Sequence, residues 1–184
     1  DDDEVSPTPN PPTPNKPYST ILNTIIPPWI TDRSKNSLER KAPPLVRLHN
    51  EILQFCQFIS PTKEELAARI KAIDEIKRVV LSHWPEAKVH VFGSQLTNIL
   101  LPSSDIDIAV LDVPIAPDET ITDAILSLTD RIRHSIPVSY LEAVVNARVP
   151  IIKYDHAESN LSVDICINHD SGLRTGELIL KASE

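Results

Sequence analysis

Apolar residues recur every three or four positions in two stretches of the first half of the chain, as they do on one face of a helix. The first stretch predicts an amphipathic helix whose apolar face contains Leu45, Leu48, Ile52, Phe55 and Ile59. Ser60 is expected to cap a second helix, with Pro61 in its first turn and two glutamates at its positive end. The buried stripe of this second helix is predicted to be Leu66, Ile70, Ile73, Val80 and Trp84.

Farther along the chain, apolar and polar residues alternate, which is typical of strands with one buried face. The alternation predicts strands at 89–92, 105–111, near 140–145, 149–155 and 161–167, and a helix spans 119–134. The last two strands are expected to form a hairpin through residues 157–160. This order predicts an α/β fold, a mixed β-sheet backed by helices.

The amino-terminal part differs in composition from the rest. Six prolines stand among Thr and Asn in residues 7–17, after three aspartates at the start of the chain, so residues 1–44 are predicted to be a mostly disordered tail. Within it, Ile25, Ile26 and Trp29 are apolar enough to dock against the folded part or against a neighbouring part that the sequence does not include. The remaining predicted units are a globular domain over 45–170 and the first helix of a further domain over 171–184, and we expect the chain to be a fragment.

Composition limits the function classes. A net charge of −8 argues against a surface that binds RNA over its whole extent. There is no apolar run long enough for a membrane span, and the predicted protein is soluble and not secreted. Cys56 and Cys166 lie in apolar patterns far apart and are expected to be buried thiols in a reducing compartment. The six histidines show no zinc-ligand spacing.

Two carboxylates spaced by one residue are the strongest chemical signal. Asp105 and Asp107 point to one face of the predicted strand, while Ile106, Ile108 and Val110 point into the core. Such crowding is relieved by a hard divalent cation, typically Mg²⁺ with substrate phosphates.

Two further features lie within reach of this pair. Ten residues separate Ser94 from Asp105, enough for a crossover that returns the small Gly93-Ser94 turn to the carboxylates. Asp164, on the polar face of the last predicted strand, is the natural third carboxylate. Three carboxylates on adjacent strands can hold two metal ions that activate an attacking hydroxyl and neutralise a leaving pyrophosphate.

This combination resembles the signature of the polymerase-beta-like nucleotidyltransferases, in which a hydrophobic residue, Gly, and Gly or Ser precede Asp-x-Asp by about ten residues. Within that superfamily the chain is similar to the nuclear poly(A) polymerases of TRAMP-type complexes, over roughly residues 45 to 180. The similarity is carried by Leu48–Ile52, Ile59–Pro61, Trp84-Pro85, His90–Ser94 and Ala147–Lys153.

The resemblance implies a nucleotidyltransferase palm fold with residues 45–170 as the catalytic domain and 171–184 as the start of a truncated helical domain. It implies that Asp105, Asp107 and Asp164 are catalytic and bind two Mg²⁺ ions, which Mn²⁺ can replace. It also implies that Gly93 and Ser94 contact the nucleotide phosphates.

The implied reaction is template-independent transfer of AMP from ATP to the 3′ hydroxyl of RNA, in nuclear RNA processing and surveillance. A zinc-knuckle RNA-binding protein and an RNA helicase are the implied partners. Two alternatives stay open: terminal uridylyl transfer, which uses the same triad, and a catalytically silent chain that acts as a binding or scaffold domain.

Three residue assignments also stay open. Lys153 and Arg148 either offset phosphate charge or are solvated basic residues at strand ends. The family often has Pro-Gly-Ser where this chain has Pro102-Ser103-Ser104, and a left-handed conformation at Ser103 would cost about 1 kcal/mol.

Overall fold

The described residues, 28–29 and 42–183 of this computed structural model, form five helices and five strands. The helices are α1 (Pro44–Ile59), α2 (Lys63–His83), α3 (Gly93–Thr97), α4 (Ile121–Ser135) and α5 (Ser171–Ser183). The strands are β1 (Lys88–Phe92), β2 (Ile106–Leu111), β3 (Val138–Val144), β4 (Ile151–His156) and β5 (Leu161–Ile167). Apart from residues 28–29 and 42–44, the predicted tail lies outside the described residues.

The chain divides into two compact units after Phe58. In the first unit, the ring of Trp29 meets Phe55 of α1 edge to face, with 4.8 Å between ring centroids, and Phe58 at 6.3 Å. Such aromatic pairs stabilise beyond the area that they bury. The expected docking of Trp29 is therefore seen on α1, whereas Ile25 and Ile26 lie outside the described residues.

The second unit is built on one mixed sheet of five strands in the order β1-β2-β5-β4-β3. β2 and β5 run parallel, and the other neighbouring pairs are antiparallel. The β4–β5 pair is the hairpin expected from the sequence, and its connection lies at residues 157–160. The predicted α/β architecture, a mixed sheet backed by helices, is confirmed.

The core lies between one face of this sheet and the helices α2 and α4. Alternate residues of the central strands point into it and are almost completely buried: Ile106, Ile108, Val110, Val163, Ile165 and Ile167. The helices contribute a second set that shares this burial: Ile76 and Val80 from α2, and Ile125, Leu128 and Ile132 from α4. Because strand side chains alternate, the residues between the buried ones lie on the opposite face of the sheet.

The predicted face and cap of α2 were partly wrong. Val80 and Trp84 are buried as predicted, but Leu66 and Ile70 are 37% and 57% exposed. The other buried positions are Arg69, Ala72, Ile76 and Val79. The helix is capped by Thr62, not Ser60, through a capping box in which Thr62 and Glu65 each accept a hydrogen bond from the other's backbone N–H.

Two other expectations are settled by local conformation and exposure. Ser103 is not among the described residues with positive φ, which are Asn98, Asp112, Asn160, Asn168 and Gly93, so the missing glycine carries no left-handed strain. Cys166 is buried as expected, but Cys56 is exposed. None of the helices in the described part of the chain has the length and apolar character needed to cross a membrane.

The corrected face of α2 gives a direct test of the fold. Ile76→Ala should lower the free energy of unfolding by about 2–5 kcal/mol, because it leaves a cavity in the core. Ile70→Ala, on the same helix but exposed, should change it by no more than about 0.5 kcal/mol. Urea unfolding followed by circular dichroism measures both; equal losses would contradict the assignment of the buried face.

Candidate active site

A row of side chains crosses the sheet on the face opposite the core. Phe92 of β1 is the register partner of Asp107 of β2, Asp107 that of Asp164 of β5, and Asp164 that of Lys153 of β4. Asp107 and Asp164 are therefore neighbours on parallel strands. Asp105 lies one residue before the start of β2, next to this row.

Lys153 neutralises one side of this carboxylate pair. Its Nζ lies 2.9 Å from Asp164 Oδ2, and this hydrogen bond is the main cause of the raised pKa of Lys153. The second oxygen, Asp164 Oδ1, is buried and has no hydrogen-bond partner among the described residues. A buried carboxylate oxygen without a partner is costly, and a cation would satisfy it.

The surroundings of Asp107 raise the pKa of its carboxyl group. Burial is the first cause that raises its pKa, followed by the negative charges of Asp164 and Asp105; the positive charge of Lys153 acts in the opposite direction. All three carboxylates are thus close enough for their charges to interact. The structure brings together the three acids that the sequence pattern singled out.

The Gly93 turn lies directly against this pair. Gly93 has a φ of 62°, and a Cβ on it would overlap Asp107 Oδ2. Only glycine combines that conformation with so close an approach of the backbone to a carboxylate. Ser94 follows at once, and its buried Oγ has no hydrogen-bond partner among the described residues.

Two glycines of α5 allow this helix to pack closely against β1 and the short helix α3. A Cβ on Gly172 would overlap the ring of Phe92, and a Cβ on Gly176 would press on Leu96 of α3. At the other end of α3, the Thr97 hydroxyl donates a hydrogen bond to the Gly93 carbonyl oxygen at 3.1 Å. Thr97 therefore closes the turn that begins at Gly93.

The donor set suits a hard divalent cation. Carboxylate oxygens are the ligands that Mg²⁺ and Mn²⁺ prefer, and Asp164 Oδ1 is an acceptor without a donor. As the side chains stand, no three Asp, Glu, His or Cys groups within residues 28–29 and 42–183 already converge as a ligand cluster. The chemistry of the donors therefore fits a divalent cation.

Other groups near the site are less suited to catalysis. Burial raises the pKa of the Cys166 thiol to about 11, so the thiol is neutral at pH 7 and is a poor nucleophile. Arg148 is exposed in the β3–β4 connection.

Sequence reasoning missed one residue beside the site, Arg69. It lies on the buried face of α2 and contacts the loop that precedes Asp105. The signal was present, because Arg69, Ala72, Ile76 and Val80 have helical spacing; a charged residue at the first of these positions concealed it.

Comparison with known proteins agrees with this geometry. Residues 48–183 match the family model described as "Poly(A) RNA polymerase, mitochondrial-like, central palm domain". Poly(A) RNA polymerase protein 1 of Saccharomyces cerevisiae is 34% identical over 152 residues, which are 83% of this chain and 23% of that protein. The chain thus spans about a quarter of the length of such curated relatives.

Two further matches are a solved structure and a relative whose name describes it as inactive. A solved structure described as the polymerase core of TRAMP, an RNA surveillance complex, superimposes with a TM-score of 0.62 at 28% identity, covering 91% of this chain and 52% of that one. A Drosophila melanogaster relative named "Inactive non-canonical poly(A) RNA polymerase protein Trf4-2" is 34% identical over 140 residues, 74% of this chain and 33% of that protein.

The palm fold, the three acids on one face of its sheet and the extent of these matches lead to one conclusion. The chain belongs to the poly(A) RNA polymerase family, and it contains the mitochondrial-like central palm domain of that family.

Proposed function

We propose that this chain is the catalytic palm of a template-independent RNA 3′-terminal adenylyltransferase. In this reaction the 3′ oxygen of RNA attacks the α-phosphorus of ATP and loses its proton, a phosphodiester bond forms, and the bond to the leaving pyrophosphate breaks. The observation that carries the proposal is the register pairing of Asp107 with Asp164 beside the Gly93 turn.

Asp105, Asp107 and Asp164 are the proposed ligands of two Mg²⁺ ions, and Mn²⁺ is expected to substitute for them. The crowding that raises the pKa of Asp107 and the unpartnered oxygen of Asp164 support this assignment, because both are relieved by bound cations. When bound, such ions supply charge neutralisation for the triphosphate and lower the pKa of the attacking hydroxyl.

Gly93 and Ser94 are the proposed contacts for the nucleotide phosphates. The absence of a side chain at Gly93 leaves the backbone open to close approach, and Ser94 Oγ is a buried hydroxyl with no other partner in the described structure. A nucleotide phosphate bound at this turn would give Ser94 Oγ a hydrogen-bond partner. Lys153 lies at the other end of the row and would add positive charge there.

ATP is the proposed nucleotide because curated relatives of this chain are named poly(A) RNA polymerases. A role in RNA surveillance is proposed because the TRAMP polymerase core, to which the chain is similar, is described as belonging to an RNA surveillance complex. The nuclear setting of that role is proposed from the family resemblance alone. By the same family resemblance, the proposed partners are a zinc-knuckle RNA-binding protein and an RNA helicase.

A second candidate function is that of a catalytically silent binding or scaffold domain. It is favoured by one observation: a relative as similar as 34% over 140 residues is named inactive. The two candidates differ in whether metal binding at the three acids is followed by nucleotide transfer.

The first test compares two Asp→Asn variants. Asp107→Asn should reduce Mg²⁺-dependent extension of a labelled oligoadenylate RNA with ATP by at least about a hundredfold, since loss of a residue that only hydrogen-bonds to a metal ligand already lowers affinity or activity by about 10- to 100-fold. Asp112→Asn is the control: Asp112 follows the same strand at a φ of 58°, which Asn tolerates, and should retain activity.

Parallel measurements separate the alternatives. Better extension with UTP than with ATP would identify a uridylyltransferase. Mn²⁺ binding is followed by electron paramagnetic resonance. The silent domain would be favoured if the unchanged chain binds Mn²⁺ but does not extend RNA, and if Asp107→Asn no longer binds Mn²⁺. Equal Mn²⁺ binding by Asp107→Asn and the unchanged chain would contradict the metal assignment.

Gly93→Ala tests the close approach of the turn to Asp107. The variant should lose about 1–2 kcal/mol of stability from the left-handed conformation and should also bind Mn²⁺ more weakly, because the new methyl group displaces the carboxylate. Asn98→Ala is the matched control: Asn98 has a φ of 58° at the other end of α3 but already carries a Cβ. It should lose stability and keep its Mn²⁺ affinity; the same affinity in both variants would contradict the role of Gly93.

The raised pKa of Asp107 predicts how stability depends on pH in metal-free buffer. The pKa of Asp107 is higher in the folded state than in the unfolded state, so ionised Asp107 destabilises the fold. This destabilisation is absent below the unfolded pKa, at about pH 4, and it grows as the pH rises through the folded pKa. Asp107→Asn should therefore gain stability over the unchanged chain as the pH rises from 4 to 7. Urea unfolding in the presence of EDTA measures the difference in free energy of unfolding between Asp107→Asn and the unchanged chain. A difference that does not change with pH would refute the prediction.

A further inference from the structure

A buried arginine lies behind the loop that leads into Asp105. Arg69 of α2 is 0% exposed. Its Nη2 donates hydrogen bonds to the carbonyl oxygens of Leu101, Pro102 and Ser104, at 3.2, 2.8 and 2.5 Å. One nitrogen of a helix residue thus contacts three of the four peptide carbonyls in the segment 101–104.

Core packing alone does not account for an arginine at this position. Burial lowers the pKa of Arg69, and the negative charges of Glu65 and Asp105 oppose that shift. Its Nε and Nη1 are buried with no hydrogen-bond partner among the described residues. An apolar side chain of similar volume would fill the same space without this desolvation cost.

The three hydrogen bonds act on the residue that follows them. The Ser104 carbonyl belongs to the same planar peptide group as the Asp105 N–H, so fixing this oxygen fixes the plane from which Asp105 begins. The loop has no regular secondary structure and holds itself only by a local turn, in which Ser104 N donates to Leu101 O and Leu101 N donates to Ser104 Oγ, both at 3.0 Å. Arg69 connects this turn to a rigid helix.

We propose that Arg69 is a positioning residue for the metal site: it ties the loop 101–104 to α2 and thereby sets the position of the Asp105 carboxylate relative to Asp107. The inference rests on the proposed function in one respect, that Asp105 binds a metal ion. The inference adds Arg69, which is not one of the three acids, to the residues on which metal binding depends.

The test compares Arg69→Met with a control of equal stability. The control is whichever of Ile76→Val and Ile76→Ala has the urea midpoint closer to that of Arg69→Met, because Ile76 is buried on the same helix. Two quantities are measured on the 184-residue chain and its variants: Mn²⁺ affinity by electron paramagnetic resonance, and amide hydrogen exchange at residues 101–107 by mass spectrometry.

Arg69→Met should weaken Mn²⁺ binding by about tenfold and should speed exchange at residues 101–107 relative to the stability-matched control. A purely structural arginine would change both variants equally, and that result would overturn the proposal. Arg69→Lys keeps the charge but not the fork of donors, so its Mn²⁺ affinity should lie between those of the unchanged chain and Arg69→Met.

The two readouts distinguish a failure of this inference from a failure of the proposed function. If the unchanged chain binds no Mn²⁺, the metal assignment fails, and exchange at 101–107 alone decides whether Arg69 holds the loop. If Arg69→Met does not fold, Arg69→Lys is compared with an Ile76 variant in the same way. Exchange in the loop equal to that of the control would then overturn the proposal.

Discussion

The adjacency of two aspartates on neighbouring parallel strands is the constraint on which the rest of the structure depends. Like charges directly opposite each other on a sheet are destabilising. Asp107 and Asp164 cannot separate by a slip of one strand, because a shift by one residue would turn that strand's carboxylate into the core and expose its isoleucine, Ile108 or Ile165. The apolar core on one face of the sheet therefore holds the carboxylates together on the other.

The neighbouring residues reduce the repulsion between the carboxylates but do not cancel it. Lys153 contributes one positive charge against three carboxylates, and among the described residues it forms a salt bridge with Asp164 alone. Gly93 gives Asp107 space but no donor side chain. The pKa of Asp107 is raised because burial and the other two acids together outweigh Lys153. A site that retains unbalanced negative charge in a half-buried position is suited to gaining cations, and this links the fold to the chemistry of the family.

Local patterns predicted the sheet and the three acids because both depend on alternation alone. Strand period placed Asp107 and Asp164 on one polar face, and the short span after Ser94 returned the glycine turn to them. The buried face of α2 could not be read in this way, because the rule assigns a position by its hydrophobicity and Arg69 occupies a core position for its hydrogen bonds. Pairing of Lys153 with Asp164 depends on the β4–β5 register, which no short segment of sequence specifies.

Helix α2 shows why the misread position matters. The same helix packs Ile76 and Val80 into the core and, two turns before Ile76, presents Arg69 to the loop before Asp105. An apolar residue in place of Arg69 would continue the buried stripe and remove a costly buried charge, so selection for stability alone would favour it. The arginine gives up some of that stability and makes three hydrogen bonds to the loop. The local rule fails at the position where the core and the candidate site share one helix, which is where a conflict between stability and function is expected.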